Sequence, residues 1–392
     1  MNRYLAAVLG ALAVLTAFPA PAQEPVKIGL IMPYSGQFAD AATQMDNAIK
    51  LYVKEHGDTV AGRKIEFIRR DTGGVAPEVA KRHAQELVVR DNVDILAGFV
   101  LTPNAIAAAD VSAQAKKFMV VMNAATSIIT TKSPYLVRTS LTTPQVNESL
   151  GTWAATKDGI KKVYTMVADY GPGIDAEGAF QRGFKDAGGQ LLGSVRMPVA
   201  NPDFFPFVQR AKDAHPEAIF VFVPGGAQPG AFGKALVDLG IDTKKTKVLG
   251  QGEITDENAL KVMGNAALGM ITAFHYDYNH KSAANEKFVT AYNAAFGRNP
   301  DFFSVGGWDG MHLIYETLKK TGGKADGESL VDAAKGMAWE SPRGPISIDP
   351  GTRDIVQTVY IRRVEKVGGK LVNVEIDKIE NVKDPVKERM KK

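Results

Sequence analysis

Short apolar runs alternate with longer amphipathic segments along the first third of the chain. The run Val26–Pro33 predicts a strand, and Ala41–His56 predicts a helix because Met45, Ile49 and Tyr52 fall on one face. The same alternation continues with a strand at 64–70, a helix at 77–90, a strand at 93–99, a helix at 103–116 and a strand at 118–123. This order is typical of a parallel sheet with helices on both faces.

The pattern starts again after Thr142. Helices are predicted at 144–157, 175–187, 204–214 and 230–239, and strands at 162–168, 191–198, 218–223 and 247–250. Two similar arrays in tandem, in a chain of 392 residues, predict an α/β protein with two doubly wound parallel-sheet lobes.

The last third contains too few elements for a third domain. Helices are predicted at 285–296, 308–321 and 328–336, and strands at 345–348, 357–367 and 371–381. We expect these pieces to complete the two sheets, with lobe 1 at 23–142 and 275–347 and lobe 2 at 143–274 and 348–392. The chain then crosses between lobes near Thr142, Phe274 and Ile348, and three crossings can form a hinge.

The N-terminus has the three parts of a secretory signal peptide. A cationic start ending at Arg3 precedes the apolar run Leu5–Phe18, and Ala20-Pro21-Ala22 is a small-residue cleavage site. The run of about 15 residues is shorter than the ~20 that a membrane-spanning helix needs. With no cysteine in the sequence there is no site for a lipid anchor. We therefore expect cleavage near Ala22 and an unanchored protein in a Gram-negative periplasm.

Composition and motifs argue against several other classes of protein. The net charge of +4 is dispersed and lacks interleaved aromatic residues, so nucleic acid is not an expected partner. The basic run Lys387–Lys392 is interpreted as a solvated tail. Gly233-Lys234 lacks the rest of a P-loop, Ser35 lacks the glycine of a nucleophile elbow, and no histidine pair has metal-ligand spacing. We expect neither enzyme activity nor a metal or organic cofactor.

Candidate binding residues follow the predicted strands, at the sheet edge where α/β proteins bind ligands. They comprise aromatic residues and one leucine for apolar walls, small or hydroxyl residues for an anion, and two charged side chains. The candidates are Tyr34, Phe38, Phe99, Leu101, Thr102, Ala124, Thr126, Tyr170, Arg196, Glu253, Tyr276 and Trp308. Some have ordinary alternatives: Glu253 as a helix cap, Arg196 in a surface ion pair, and Trp308 as a helix core residue.

From Val26 to about Val374 the chain resembles the type I periplasmic binding proteins of the branched-chain (Leu/Ile/Val) amino acid transport class. The resemblance is carried by Ile28-Gly29-Leu30, Ser35-Gly36, Asp71-Thr72, Ala97-Gly98, Asn123-Ala124-Ala125-Thr126, Asp169-Tyr170-Gly171, Trp308-Asp309-Gly310 and Arg343-Gly344-Pro345-Ile346. It implies a monomeric clamp that presents a small molecule to the transmembrane permease subunits of an ABC importer. It also implies that Thr102, Ala124 and Thr126 hold a ligand carboxylate, that Tyr170 closes the pocket, and that Glu253 pairs with an ammonium group in amino acid binders.

The sequence departs from that family pattern at two loops and in lacking the family's paired cysteines. Leu101-Thr102-Pro103-Asn104 replaces a serine-rich stretch, and Gly225-Gly226-Ala227-Gln228 stands where a tyrosine is usual. Together with the aromatic candidates, this favours a hydrophobic carboxylate such as a hydroxycinnamate or benzoate. A branched-chain or aromatic amino acid remains an alternative ligand, and a ligand-sensing receptor domain remains an alternative function.

Overall fold

The computed structural model describes residues 24–391, and the predicted signal peptide at 1–22 lies outside them. The strands are β1 Val26–Met32, β2 Thr59–Val60, β3 Arg63–Asp71, β4 Ile95–Gly98, β5 Phe118–Val121, β6 Leu136–Arg138, β7 Lys162–Ala168, β8 Gln190–Met197, β9 Ala218–Phe222, β10 Lys247–Gln251, β11 Ile271–Phe274, β12 Ala338–Ser341, β13 Gly344–Ile348, β14 Ile355–Val367 and β15 Lys370–Val382. The helices are α1 Ala39–His56, α2 Pro77–Val89, α3 Thr102–Ala115, α4 Thr143–Thr156, α5 Gly171–Asp186, α6 Phe205–Asp213, α7 Gln228–Asp238, α8 Glu257–Met263, α9 Ala283–Phe296, α10 Phe302–Lys320, α11 Gly327–Ala334 and α12 Pro385–Met390.

The first sheet has the strand order β2-β3-β1-β4-β5-β6. All its pairings are parallel except the β2–β3 hairpin. Strands β4 and β5 are buried along their whole length, as expected for apolar runs with helices on both faces. Their carboxyl ends point to one edge of the sheet, which brings the loops after β1, β4 and β5 together.

The second sheet contains the parallel strands β8, β7, β9, β10 and β11 in that spatial order. Strand β14 pairs antiparallel to β11, and both β15 and β13 pair antiparallel to β14. The β12–β13 hairpin is therefore hydrogen-bonded to the second sheet, although residues 338–347 were assigned to lobe 1. The lobe boundaries stay predictions.

Helix α10 packs against α1 on the first sheet and begins at Phe302, six residues before the predicted start. The early part contains Gly306 and Gly307, which have low intrinsic helix propensity. Close packing requires both glycines, since a Cβ at Gly306 would collide with the carbonyl oxygen of Met122 and one at Gly307 with that of Met45. Packing thus outweighs local propensity here.

The C-terminal basic run is not the solvated tail that the sequence suggested. Residues Pro385–Met390 form α12, and Lys387 is only 6% exposed. Its ammonium group forms an ion pair with the buried carboxylate of Asp354.

Within residues 24–391 no helix is both long enough and apolar enough to cross a bilayer.

Candidate ligand-binding site

A cavity of about 290 Å³ lies between the two lobes. Its walls are the loops that follow β1, β4 and β5 in the first lobe and β7, β9 and β10 in the second, with part of α10. The lining residues are Gln37, Phe38, Asp40, Ala41, Val100, Leu101, Thr102, Asn123, Ala125, Thr143, Tyr170, Pro172, Phe222, Pro224, Gly225, Gly226, Gln251, Glu253, Asp256, Asn258, Asp301 and Phe303.

The lobes touch each other across this cleft. The amide of Ser127 donates to the carboxylate of Asp175 at 2.9 Å, and Asn258 Nδ2 donates to Asp40 Oδ2 at 3.3 Å. Each bond joins a first-lobe residue to a second-lobe residue. The two lobes are therefore in direct contact on both sides of the cavity.

Two helix N-termini meet at one point of the cavity. Helix α3 begins at Thr102 and α5 at Gly171, and neither N-cap side chain bonds to its helix. Thr126 Oγ1 donates to Thr102 Oγ1 at 3.1 Å, and a Cβ built on Gly171 would lie 3.3 Å from Thr126 Oγ1. Free N–H groups, helix dipoles and two hydroxyls suit a carboxylate.

Aromatic and aliphatic side chains form apolar walls beside this point. The rings of Tyr170 and Phe222 lie 6.3 Å apart at an interplanar angle of 36°. Phe38, Leu101 and Phe303 also line the cavity. Such walls fit a flat apolar ring.

Glu253 supplies a carboxyl group with one free oxygen. Its Oε1 accepts from Gln251 Nε2 at 2.9 Å, and Gln251 Oε1 accepts from Asn147 Nδ2 at 2.6 Å. Its Oε2 is buried without a hydrogen-bond partner. Burial raises the pKa of Glu253 to about 7. Glu253 does not cap a helix, because Asp256 caps α8 by accepting from Ala259 N at 2.7 Å.

Three further carboxyl groups, those of Asp40, Asp256 and Asp301, line both the cavity and a neighbouring chamber of about 250 Å³. Burial raises the pKa of Asp256 to about 6 and that of Asp301 to about 7. The neighbouring chamber is also lined by Arg298 and Arg362, whereas no lysine or arginine of the described chain lines the first cavity. A ligand carboxylate in that cavity would meet neutral donors only.

The structure brings half of the predicted site residues together. Phe38, Leu101, Thr102, Tyr170 and Glu253 line the cavity. Thr126 does not line it but bonds directly to Thr102.

Ala124 needs a correction, because it lies behind the cavity. Its amide donates to Phe99 O at 2.9 Å, and its carbonyl accepts from Arg138 Nη1 at 3.2 Å.

The remaining aromatic candidates need the same correction, because they pack elsewhere. Tyr34 lies against the first-lobe core beside Arg69, and Phe99, at a φ of 65°, turns into the cluster under α2 and α3. The ring of Trp308 packs on Tyr52 at 4.8 Å.

Tyr276 and Arg196 are also outside the cavity. The hydroxyl of Tyr276 donates to Asn285 Oδ1 at 3.0 Å, and its side chain borders the neighbouring chamber. Arg196 pairs with Glu177 at 2.9 Å, which is the surface ion pair considered as its alternative.

Sequence reasoning missed several cavity residues. Phe222 falls inside the predicted strand 218–223 and is not among the candidates, although it is the last residue of β9 and lines the cavity. Asp301 is the N-cap of α10 in a capping box with Ser304, a pattern that would have found the true helix start. Gln37 lies in the loop after the first strand, next to the candidate Phe38, and it also lines the cavity.

Residues 25–370 match the sequence profile of the family described as periplasmic binding protein. The chain belongs to this family. It is 46% identical over 382 residues to "Leu/Ile/Val-binding protein homolog 6" of Brucella abortus (strain 2308), covering 96% of this chain and 97% of the relative. The chain is thus a solute-binding protein of an ABC transporter, and a binding protein rather than an enzyme.

Two solved structures are similar over nearly their whole length. The solute-binding protein of an ABC transporter from Rhodopseudomonas palustris BisB5, in complex with 3,4-dihydroxy benzoic acid, is 55% identical with a TM-score of 0.89, covering 93% of this chain and 99% of that one. A second R. palustris solute-binding protein, in complex with 4-hydroxybenzoate, is 42% identical with a TM-score of 0.89 and the same coverage. Both share the type I fold, with two mixed, mainly parallel sheets.

Proposed function

We propose that this periplasmic binding protein captures an aromatic carboxylate of the hydroxybenzoate or hydroxycinnamate class. The observation that carries this proposal is the junction of Thr102, Thr126 and the α5 N-terminus beside the Tyr170–Phe222 wall. The carboxylate binds to the hydroxyls and free N–H groups, and the ring lies against the wall. The ligands named for the two R. palustris proteins support the same class.

In this proposal Glu253 accepts a hydrogen bond from a phenol hydroxyl of the ligand. Its Oε2 is buried and unpaired, so a donor on the ligand relieves the cost of that burial. A phenol is a neutral donor, and it can bond to a carboxylate without requiring a second charge in the cavity.

An amino acid is the second candidate ligand, favoured by the same free oxygen of Glu253. An ammonium group would form an ion pair there, and the Brucella relative has a Leu/Ile/Val-binding name. The two candidate ligands predict different effects of removing the Glu253 charge. An ammonium group that loses its buried ion-pair partner costs far more binding free energy than a phenol that loses one neutral hydrogen bond.

The binding mechanism that we propose is clamp closure. A ligand held by Thr102 and Thr126 gains contact with Tyr170, Gly171 and Glu253 only when the lobes meet. Because it binds the shut form better, it shifts the population toward that form. The permease subunits of the importer would then receive the loaded, shut protein, which we expect to be a monomer released into a Gram-negative periplasm after cleavage near Ala22.

Calorimetry with the mature protein and its Glu253→Gln variant tests the ligand class. We expect 4-hydroxybenzoate or a hydroxycinnamate to bind the wild type, with a loss of about tenfold or less in the variant. Benzoate, which has no hydroxyl, should lose less. Binding of leucine or phenylalanine but of no aromatic acid, abolished by Glu253→Gln, would refute the proposal and establish the amino acid alternative.

A further inference from the structure

The loop that carries Thr126 is held from behind by a buried arginine. Arg138 Nη1 donates to the carbonyl of Thr126 at 2.8 Å and to that of Ala124 at 3.2 Å. Arg138 is fully buried. It therefore sets the backbone path of residues 123–127, which we call the ligand loop, without touching the cavity.

Arg138 is in turn held by Asp354, in the hinge segment between β13 and β14. Arg138 Nε and Nη2 donate to Asp354 Oδ1 at 2.9 and 2.6 Å. The other oxygen, Asp354 Oδ2, forms the ion pair with Lys387 of α12, and Lys387 Nζ also donates to Thr130 Oγ1. Asp354 thus lies between two buried cations and depends on both for its charge balance and its position.

Asp384 connects the same helix to the ligand loop by a second route. Its Oδ1 caps α12 by accepting from Val386 N at 2.9 Å. Its Oδ2 accepts from Ser127 Oγ at 2.6 Å, in a buried hydrogen bond. The end of the chain therefore contacts the ligand loop at Ser127 directly and at Thr126 through Asp354 and Arg138.

Helix α12 itself rests on the second lobe. Arg389 forms two hydrogen bonds to the carboxylate of Glu148 in α4, at 2.7 and 3.0 Å. Gln145 Nε2, also in α4, donates to the carbonyl of Val382 just before α12. The helix is thus also held by contacts other than those to the ligand loop, and it can serve as a support for that loop.

We propose that Lys387 and Asp384 are positioning residues for ligand binding. They act through Asp354–Arg138 and through Ser127 to keep the ligand loop in the shape that places Thr126 Oγ1 against Thr102. The inference rests on the proposed function in one respect, that the ligand carboxylate binds beside Thr126. Helix α12 then contributes to ligand affinity without contacting the ligand.

The test compares Lys387→Met, Lys387→Arg and Asp384→Asn with the control Lys391→Met in the mature protein. Lys391 is on the surface, where it pairs with Glu388 at 2.6 Å. Asparagine at 384 keeps the helix cap but no longer accepts from Ser127 through a carboxylate oxygen. The affinity for 4-hydroxybenzoate and for 4-hydroxybenzamide is measured by calorimetry well below each variant's melting temperature.

We expect Lys387→Met to weaken 4-hydroxybenzoate binding about tenfold and the amide less, with Lys387→Arg recovering most of the loss and Lys391→Met unchanged. Combining Lys387→Met with Thr126→Val should cost little more than Thr126→Val alone, since both act at the same contact. A folded Lys387→Met protein with wild-type affinity, equal losses for acid and amide, or additive losses in the double variant would overturn the inference.

Hydrogen exchange of the ligand-free proteins tests whether α12 holds the ligand loop in place. Amides of residues 123–127 should exchange faster in Lys387→Met and Asp384→Asn than in the wild type and in Lys391→Met. Unchanged exchange would refute the positioning role. Failure of the wild type to bind any aromatic acid would instead refute the proposed function, which keeps the two outcomes apart.

Discussion

Two loops that follow strand ends contribute to the cavity, and they are built in opposite ways. The ligand loop, 123–127 after β5, has its carbonyls bonded to Arg138 and its hydroxyls to Thr102 and Asp384. The turn 252–256 after β10 carries Glu253, whose Oε2 has no partner and whose pKa burial raises to about 7. The first loop has no titratable side chain and is held by these hydrogen bonds, while the second contains Glu253 and Asp256, whose pKa values burial raises to about 7 and about 6.

This difference indicates a division of roles in recognition. A carboxylate beside the ligand loop meets donors whose charge does not change with pH. A polar group at the other end of a ligand meets a carboxyl whose charge does change. The three predictions below test this division, beginning with the largest effect.

Thr126→Val should weaken binding of 4-hydroxybenzoate about 30-fold, because a hydrogen bond to a charged group contributes about 2 kcal/mol. Calorimetry at about pH 7 measures this loss. Thr131→Val is the matched control, since the exposed Thr131 hydroxyl bonds only to Ile128 O. Equal affinities for Thr126→Val and the control would mean that the ligand loop does not hold the carboxylate.

Glu253→Gln should stabilise the ligand-free protein at about pH 8 and leave it unchanged at about pH 4. The folded-state pKa of about 7 lies above the usual 4.5, so the folded protein binds more protons between these values. Stability is then lost as pH rises from 4.5 to 7 and is not regained above that. We expect a gain of about 2 kcal/mol, since the side chain faces a cavity and keeps part of its solvation.

Melting temperatures across that pH range measure this effect. Asp256 and Asp301, whose pKa values are also raised, leave a residual slope in the variant. Glu257→Gln is the control, because its surface ion pair with Lys261 contributes little to stability. A Glu253→Gln protein that melts with the wild-type pH profile would contradict the assignment of Glu253 as a buried acid.

Salt should have the smallest effect. Because no lysine or arginine of residues 24–391 lines the cavity, the affinity for 4-hydroxybenzoate should change less than about twofold between about 0.05 M and 0.5 M NaCl. Titrations at the two salt concentrations measure it. A tenfold loss in high salt would show that a charged side chain, and not the ligand loop, attracts the carboxylate.

The sequence predicted the order of elements better than it predicted which side chains reach the cavity. Strand β7 was predicted at its observed bounds, because most of its residues are apolar and several are β-branched or aromatic. Tyr170 and Phe99 both follow strands, yet only Tyr170 reaches the cavity, since a positive φ turns Phe99 to the opposite side. A strand end identifies the edge of the sheet, whereas the direction of one side chain depends on backbone dihedrals that periodicity does not report.

Other misses come from long-range partners. Lys387 was interpreted as solvated because neighbouring residues are charged, and its buried partner Asp354 is 33 positions away. Arg196 was considered as a contact for an acidic ligand, but its acidic partner in the structure is Glu177 on the adjacent helix α5. Pairings of this kind are set by the tertiary fold and leave no local signal.

The hydrogen bond between Ser127 and Asp175 has a practical consequence for optical reporting. The neighbouring residues Ile128 and Ile174, one in each lobe, are 46% and 42% exposed. Because the sequence has no cysteine, a thiol introduced at either position would be the sole target for a maleimide dye. The fluorescence of a dye placed there would change when the opposite lobe approaches. The Ser127–Asp175 contact therefore identifies attachment positions for a fluorescent sensor of the captured molecule.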